Sequence, residues 1–313
     1  MVIYIISDGR KGHLTQTRGL AHALTALAEK LRPSATHSCY EVNVSHMSWL
    51  AKLTYSGKEL KELPRPDLIL CAGHGTHVPA LRLARRLHCP CMVCMKPSIP
   101  MRLFDLCIAP QHDFPADASV PAHVFLTNGA LNTISPQPEV EKKETLLLVG
   151  GPSKEFGWDE DHLLTQLTTI TRHNAGQMVL TTSPRTPKDF VQTLIAACPS
   201  IKVEPFGATG PSWVPEHLAT AREVWVTQDS VSMVYEALSS GAPVGIIEMP
   251  VAPKRAGKAP SRVARGLMRL VDDGLVATFT QWAKTHTLTA VPPLKEAERA
   301  AEYILNKFPT ILS

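Results

Sequence analysis

Residues 224–237, V-W-V-T-Q-D-S-V-S-M-V-Y-E-A, place an apolar strand, a Thr-Gln-Asp-Ser turn and the start of a helix in direct succession. Where a strand runs straight into a helix, the first backbone N–H groups have no partner inside the helix, and the positive end of the helix dipole lies at the same spot. Asp229, Ser230, Val231, Ser232 and Met233 therefore make a corner suited to an anion such as a diphosphate. Glu236 follows one to two turns further on, where a carboxylate can accept hydrogen bonds from the paired hydroxyls of a ribose. Diphosphate and ribose together are the parts of a nucleotide. The same residues also read as a capped helix with Asp229 or Ser230 as N-cap and no ligand at all.

Other chemistry-bearing residues fall at the ends of apolar runs. In the first half, S-D-G-R-K-G-H (residues 7–13) joins a strand to a helix, so Gly9 and Gly12 allow a tight turn with close ligand approach, and Asp8, Lys11 and His13 are carried on it. The spacing is G-x-x-G. It is neither the G-x-G-x-x-G of a dinucleotide site nor a P-loop, which argues against a nicotinamide dehydrogenase. His13 either transfers protons near neutral pH or caps the helix, and Asp8 either accepts a proton, orients an imidazole or caps the turn. His74 and His77, Lys96, and His112 with Asp113 occupy three further strand ends. In the second half, Gly150 and Gly151 would let a phosphate or an acceptor approach the backbone. Thr182, Ser183, Arg185 and Thr186 supply hydroxyls and a planar guanidinium suited to phosphate. Phe206 either flanks a nucleobase or packs in the core, and Lys254, Arg255 and Lys258 either neutralise a leaving diphosphate or belong to a surface loop. No metal is required: D-E-D at 159–161 stands where a helix should begin, and a first-turn dipole explains its charge.

The elements that must position these residues alternate. Strands are expected at 2–7, 39–44, 68–72, 91–95 and 106–109, with a helix carrying Leu20, Leu24, Leu27 and Leu31 on one face and another over 78–87. After the proline-rich, charged stretch S-P-Q-P-E-V-E-K-K (135–143), the order restarts with strands at 145–149, 178–182, 201–205, 223–227 and 244–247. Helices are expected near 159–173, 188–197, 213–221, 230–239 and 261–272. Such alternation implies parallel sheets with right-handed crossovers, in which ligands lie at the carboxyl ends of the strands. The expected fold is α/β, two doubly wound Rossmann-like domains facing a cleft. Residues 1–138 form the first domain and 139–292 the second, and 293–313 hold a helix that returns to brace the first.

Composition narrows the class. The 313 residues are 44% hydrophobic and 19% charged, the balance of an ordinary globular protein long enough for two cores. No apolar run is long enough to span a bilayer and the N-terminus lacks a signal-type core, so a cytoplasmic protein is expected. The net charge of +4 is too small to argue for nucleic acid, and it divides as +5 over residues 1–138 and −1 over 139–313. Part of the excess, Lys52, Lys58, Lys61, Arg65, Arg82, Arg85 and Arg86, lies near Trp49, Leu50, Leu53 and Tyr55. That mixture suits an anionic lipid surface or an acidic acceptor, or else a solvated helix face. Seven cysteines, an odd number, argue against a disulfide framework. The zinc-like H-C-P-C-x-x-C at 88–94 reads instead as a buried strand sending Cys91 and Cys94 to opposite faces.

Taken together, S-D-G-R-K-G-H-x-x-Q (7–16), P-x-H-D (110–113), N-G-A-L-N (128–132), V-G-G-P-S-K (149–154), S-P-R-T-P (183–187) and V-T-Q-D-S-V-S-M-V-Y-E-A (226–237) resemble the "elongated mitochondria" family of mitochondrial fission. The resemblance covers nearly the whole chain, and the last motif is its most specific part. The family looks like a branch of the type B (GT-B) glycosyltransferases; its bacterial members are described as lipooligosaccharide outer-core transferases and its plant members as fission adaptors. The chain departs from the family pattern at Pro184, at Gln228 and around 207–211, which bears on the phosphate clamp and the base contact. The resemblance implies transfer of a sugar from a nucleoside-diphosphate donor to a surface-polysaccharide or lipid-linked acceptor, without a cofactor or metal. The donor would lie on Gly150, Gly151, Ser183, Arg185, Thr186, Phe206, residues 229–233 and Glu236. Asp8 or His13 would act as base, with Lys11, Gly12, His74, Lys96, His112 and Asp113 on the acceptor side. Separately from the resemblance, the basic charge of the first domain leads us to expect peripheral inner-membrane association. The competing expectations are a non-catalytic adaptor on the same shell and, more remotely, a sugar-nucleotide epimerase.

Overall fold

A computed structural model describes residues 1–115, 119–174 and 176–312. The chain divides into two compact units, one of Met1–Thr133 with Lys295–Ser313, the other of Ile134–Leu294.

In the first unit, β1 (Val2–Ser7), α1 (Lys11–Leu31), β2 (Ser38–Asn43), α2 (Trp49–Leu53), β3 (Leu68–Ala72), α3 (His77–Leu87), β4 (Cys91–Cys94), β5 (Leu106–Pro110) and β6 (Val124–Thr127) follow one another. The six strands form one parallel sheet in the order β2-β1-β3-β4-β5-β6. β3, β4 and β5 are buried along their whole length, which is why they read as unbroken apolar runs. Alternation sends Cys94 into the core beneath α1 and Cys91 into the core beneath α3, as strand geometry requires. Leu20 and Leu24 of α1 are fully buried, whereas Leu31, expected on the same buried stripe, is 58% exposed. A 21-residue helix is about 30 Å long and overruns a six-residue strand of about 20 Å.

The second unit runs β7 (Glu144–Leu148), α4 (Glu160–His173), β8 (Gln177–Thr181), α5 (Phe190–Ala197), β9 (Ile201–Glu204), α6 (Trp213–Thr220), β10 (Ala221–Thr227), α7 (Val231–Ser240), β11 (Val244–Ile247), α8 (Arg262–Asp272), β12 (Ala277–Thr278) and α9 (Phe279–Trp282). Its parallel sheet has the order β12-β11-β10-β7-β8-β9. Asp159 caps α4, accepting a hydrogen bond from His162 N–H at 3.0 Å, with Glu160 and Asp161 in the first turn. The acidic triplet is thus a helix start. A final helix, α10 (Glu296–Lys307), belongs to the first unit and buries Ala297, Ala300, Ala301, Ile304 and Leu305 in the core that also holds Leu20 and Leu24. Its Glu296 carboxylate accepts from the Asn128 N–H at 2.8 Å and from Arg299, fastening the helix to the loop after β6.

In each sheet the strand order reverses at one place, and there neighbouring loops diverge and leave a crevice at the carboxyl ends of the strands. In the first unit that place is between β1 and β3; in the second it is between β7 and β10.

Candidate functional site

The reversal in the second sheet brings the loops after β7, β8 and β10 together. Asp229 lies at its centre with no exposed side-chain surface, its Oδ2 2.6 Å from Arg185 Nη2 and accepting from the Gly151 N–H at 3.2 Å and the Ser230 hydroxyl at 3.0 Å. Its Oδ1 is buried without a hydrogen-bond partner among the described residues. Arg185 also donates to the Gly151 carbonyl at 3.0 Å, so its guanidinium is held in place while 43% of the side chain faces solvent. Ser183 and Thr186 shape the turn that carries it: Ser183 Oγ accepts from the Arg185 N–H at 3.1 Å, and Thr186 Oγ1 accepts from the Ser183 N–H at 2.9 Å and donates to the Gly150 carbonyl.

This arrangement corrects the reading of the two glycines. A Cβ on Gly150 would overlap the Asp229 carboxylate and the Ser230 hydroxyl, and one on Gly151 would overlap the Arg185 backbone. The space their missing side chains leave is filled by the protein itself and not held open for a phosphate. Ser183 and Thr186 likewise spend their hydroxyls on the turn.

The mouth of α7 is narrower than five residues of sequence suggested. The Ser230 N–H is bonded to the Thr227 carbonyl at 3.0 Å and the Met233 N–H to the Ser230 carbonyl at 2.9 Å, so neither is available to an anion. The Val231 and Ser232 amides have no partner among the described residues, and no side chain caps the helix, because Ser230 Oγ is turned to Asp229. Two amide donors at the dipole's positive end, with Arg185 beside them, are the groups this corner could offer an anion. The face of α7 left out of the core carries Ser232, Met233 and Glu236. Glu236 has no hydrogen-bond partner among the described residues, and burial pushes its carboxyl up to about 7. It stands one turn, about 6 Å, into the helix from Ser232. Phe206 is not a core residue: it is 43% exposed at the end of β9, its N–H held by Thr182 Oγ1 at 3.1 Å. Gln228 ties β10 to β11, donating its N–H to Ile247 and accepting from the Met249 N–H.

In the first unit the sheet reversal joins the loops after β1 and β3. His13, in the first turn of α1, brings Nδ1 to 3.0 and 2.9 Å from the two Asp8 oxygens, while Nε2 has no partner among the described residues. Asp8 also accepts from the Arg10 N–H at 3.2 Å, so it caps the turn and orients the imidazole at once. Gly73, at φ 90°, makes the pair fit: any Cβ there would overlap the His13 ring. Lys11 and Gly12 lie exposed at the start of α1, with no atom within 4 Å of a Cβ built on Gly12, so close packing does not require that glycine. His74 and His77 converge on Ser98, whose hydroxyl is 2.9 Å from His74 Nδ1 and 3.5 Å from His77 Nδ1. His77 is 3% exposed, and burial, then His74 and His13, push it down to about 4, so it is neutral at pH 7. Lys96 donates to the Asp113 carbonyl at 3.3 Å and lies over the Phe114 ring, linking the loops after β4 and β5; His112 is in the short turn beside it. Ser98 was not singled out in the sequence, and Gly73 only as part of the A-G-H-G-T-H loop at 72–77, with no role given to it.

The profile described as "Mitochondrial fission ELM1" matches residues 11–308. The chain belongs to the mitochondrial fission ELM1 family. A relative from Arabidopsis thaliana, "Mitochondrial fission protein ELM1", is 25% identical over 310 residues, covering 85% of this chain and 68% of that protein. Among solved structures, this ELM1-family chain is similar to a protein described as a UDP-N-acetylglucosamine 2-epimerase from Listeria monocytogenes (TM-score 0.57, 13% identity, 99% of this chain and 97% of the other). It is also similar to MurG of Acinetobacter baumannii (TM-score 0.52, 13% identity, 97% and 99%). These likenesses establish the GT-B type of fold, two Rossmann-like units, for this member of the ELM1 family.

Proposed function

We propose that this ELM1-family protein is a glycosyltransferase that moves a sugar from a nucleoside-diphosphate donor to a glycan or lipid-linked acceptor. The reading rests on the mouth of α7, where the Val231 and Ser232 amides stand unbonded beside an anchored Arg185 and an unpaired Glu236 lies one turn away. Amides and guanidinium would bind the diphosphate and stabilise the charge that grows on it as the glycosidic bond breaks, since fixed donors need not reorganise during reaction. Glu236 would accept from the ribose hydroxyls. Phe206, exposed beside β9, would stack on the base.

On the first unit, His13 would take the proton of the acceptor hydroxyl on Nε2 in an inverting transfer, with Asp8 fixing the ring through Nδ1 and stabilising the imidazolium. The acceptor oxygen then bonds the anomeric carbon as the bond to the diphosphate breaks. Lys96, His112 and His74 would contact the acceptor, and the positive charge of residues 1–138 suits an acidic acceptor or lipid surface. No cofactor or metal enters this scheme.

A second reading, a non-catalytic adaptor, is favoured by one observation: Arg185 already has a carboxylate partner in Asp229, which reduces its attraction for a diphosphate. Thermal unfolding with a panel of nucleoside diphosphates separates the two. A nucleotide at about 100 times its Kd should stabilise the protein by about 2.7 kcal/mol. No shift with any of them would leave the adaptor reading. Among transferases, His13→Ala should lower turnover and leave nucleotide binding intact; unchanged turnover would remove His13 as base.

A further inference from the structure

We propose that α2 seats the first unit on an anionic lipid bilayer, beside the Asp8–His13 pair. None of the five residues of α2 is buried, and Trp49, Leu50 and Leu53 are 68%, 60% and 40% exposed. Three large apolar side chains on one helical turn thus keep 40–68% of their surface exposed. Trp and Leu held this way insert into the boundary between lipid headgroups and acyl chains.

Charge selects the surface. Lys52, Lys58 and Lys61 lie on or just after α2. Arg82 and Arg86 reach across from α3 to donate to the Tyr55 and Ser56 carbonyls, which brings two guanidiniums to the end of the same segment. Leaving aside Lys52, which turns inward, four cations are accompanied by two carboxylates, Glu59 and Glu62. That balance fits an anionic leaflet, to which each basic group near the surface adds attraction. A second copy of the chain fits poorly, because three side chains fall well short of the roughly 800 Å² per partner that a stable interface buries.

Lys52 ties the ridge to the site. Unlike its apolar neighbours it turns inward, and its Nζ lies 3.3 Å from where a Cβ on Gly75 would stand, a position 3.7 Å from Asp8 Cβ. A phosphate-bearing acceptor carried in the bilayer would meet this ammonium on its way to His13. This statement about the acceptor rests on the transferase reading; the docking itself does not.

Flotation of the full chain with phosphatidylcholine vesicles, with and without phosphatidylglycerol, tests the proposal. The protein should float with the phosphatidylglycerol vesicles only, and salt should weaken the binding. The double variant Trp49→Ser, Leu50→Ser should partition about tenfold or more less strongly. Lys58→Glu with Lys61→Glu should also reduce flotation, an independent check that does not touch the apolar ridge. Unchanged melting temperatures verify that the variants fold. Failure of the wild-type protein to float, or equal flotation of the double variant, would overturn docking. So would sedimentation showing a dimer that the double variant dissolves. Nucleotide-induced stabilisation of the same preparations reports separately on the transferase reading, so the two can fail independently.

Discussion

Among the described residues Glu236 is a carboxylate at the α7 mouth without a hydrogen-bond partner, which is why we propose it for the site; Asp229 is consumed by Arg185, Gly151 and Ser230. A carboxyl pushed up to about 7 from about 4.5 holds its proton more tightly in the fold than in the unfolded chain. Stability therefore declines as pH rises through that window, and the full cost, about 3 kcal/mol at most, is present above it. Glu236→Gln should raise the melting temperature at about pH 8 and change it little at about pH 4. Equal effects at both would mean that the carboxyl ionises normally. Ribose hydroxyls donate to the ionised form, so nucleotide affinity of the wild-type protein should rise with pH across the same range. Sequence spacing placed Glu236 on the face of α7 that it shares with Ser232 and Met233, but it could not show that two of the expected amides are already spent or that Asp229 faces inward. Those facts depend on Thr227 and Arg185, at other points of the chain.

At the scale of elements, both candidate sites owe their shape to loops that meet where a sheet reverses its strand order. β3 and β11 were legible as Leu68–Ala72 and Val244–Ile247 because strands buried on both faces read as apolar runs with sharp ends. β6 and β12 were not, being edge strands of four and two residues, too short for alternation to register. α2 and α9, of five and four residues, are likewise shorter than one and a half helical turns. His74 and His77 were visible at a strand end, but their convergence on Ser98 was not: Ser98 meets them across 24 and 21 residues, with no local pattern to announce it. Gly73 is where the first site is most exposed to mutation. Gly73→Ala forces a Cβ into the His13 ring at φ 90°, so we expect a loss of about 2 kcal/mol in stability together with displacement of His13 from Asp8. Chemical denaturation, with the imidazole NMR signals as a second readout, checks this; wild-type values for both would show that the loop accommodates the change.

For the whole molecule, the first unit is not contiguous in sequence. It is completed by α10, whose Ile304 and Leu305 each contribute about 1.5–3 kcal/mol by burial, with three alanines beside them. A chain ending before Lys295 should expose that core and unfold at a markedly lower temperature, whereas unchanged cooperative melting would mean the first unit stands without it. An amphipathic helix at about 294–306 was legible in the sequence and the structure has it at Glu296–Lys307, where Ala297, Ala300, Ala301, Ile304 and Leu305 fall on one helical stripe. The measurement that bears most directly on the account is calorimetric titration of the full-length protein, its Glu236→Ala variant and its Val231→Pro variant with a panel of nucleoside diphosphates. Val231 is the first residue of α7, where proline is compatible with a helix and removes an amide donor; because the Val231 side chain is buried, an unchanged melting temperature must accompany the loss of binding. At least one nucleotide should bind the wild-type protein and bind both variants about tenfold or more weakly. Binding that neither substitution alters, or no binding by the wild-type protein, would contradict the nucleotide site on which the proposed transferase depends.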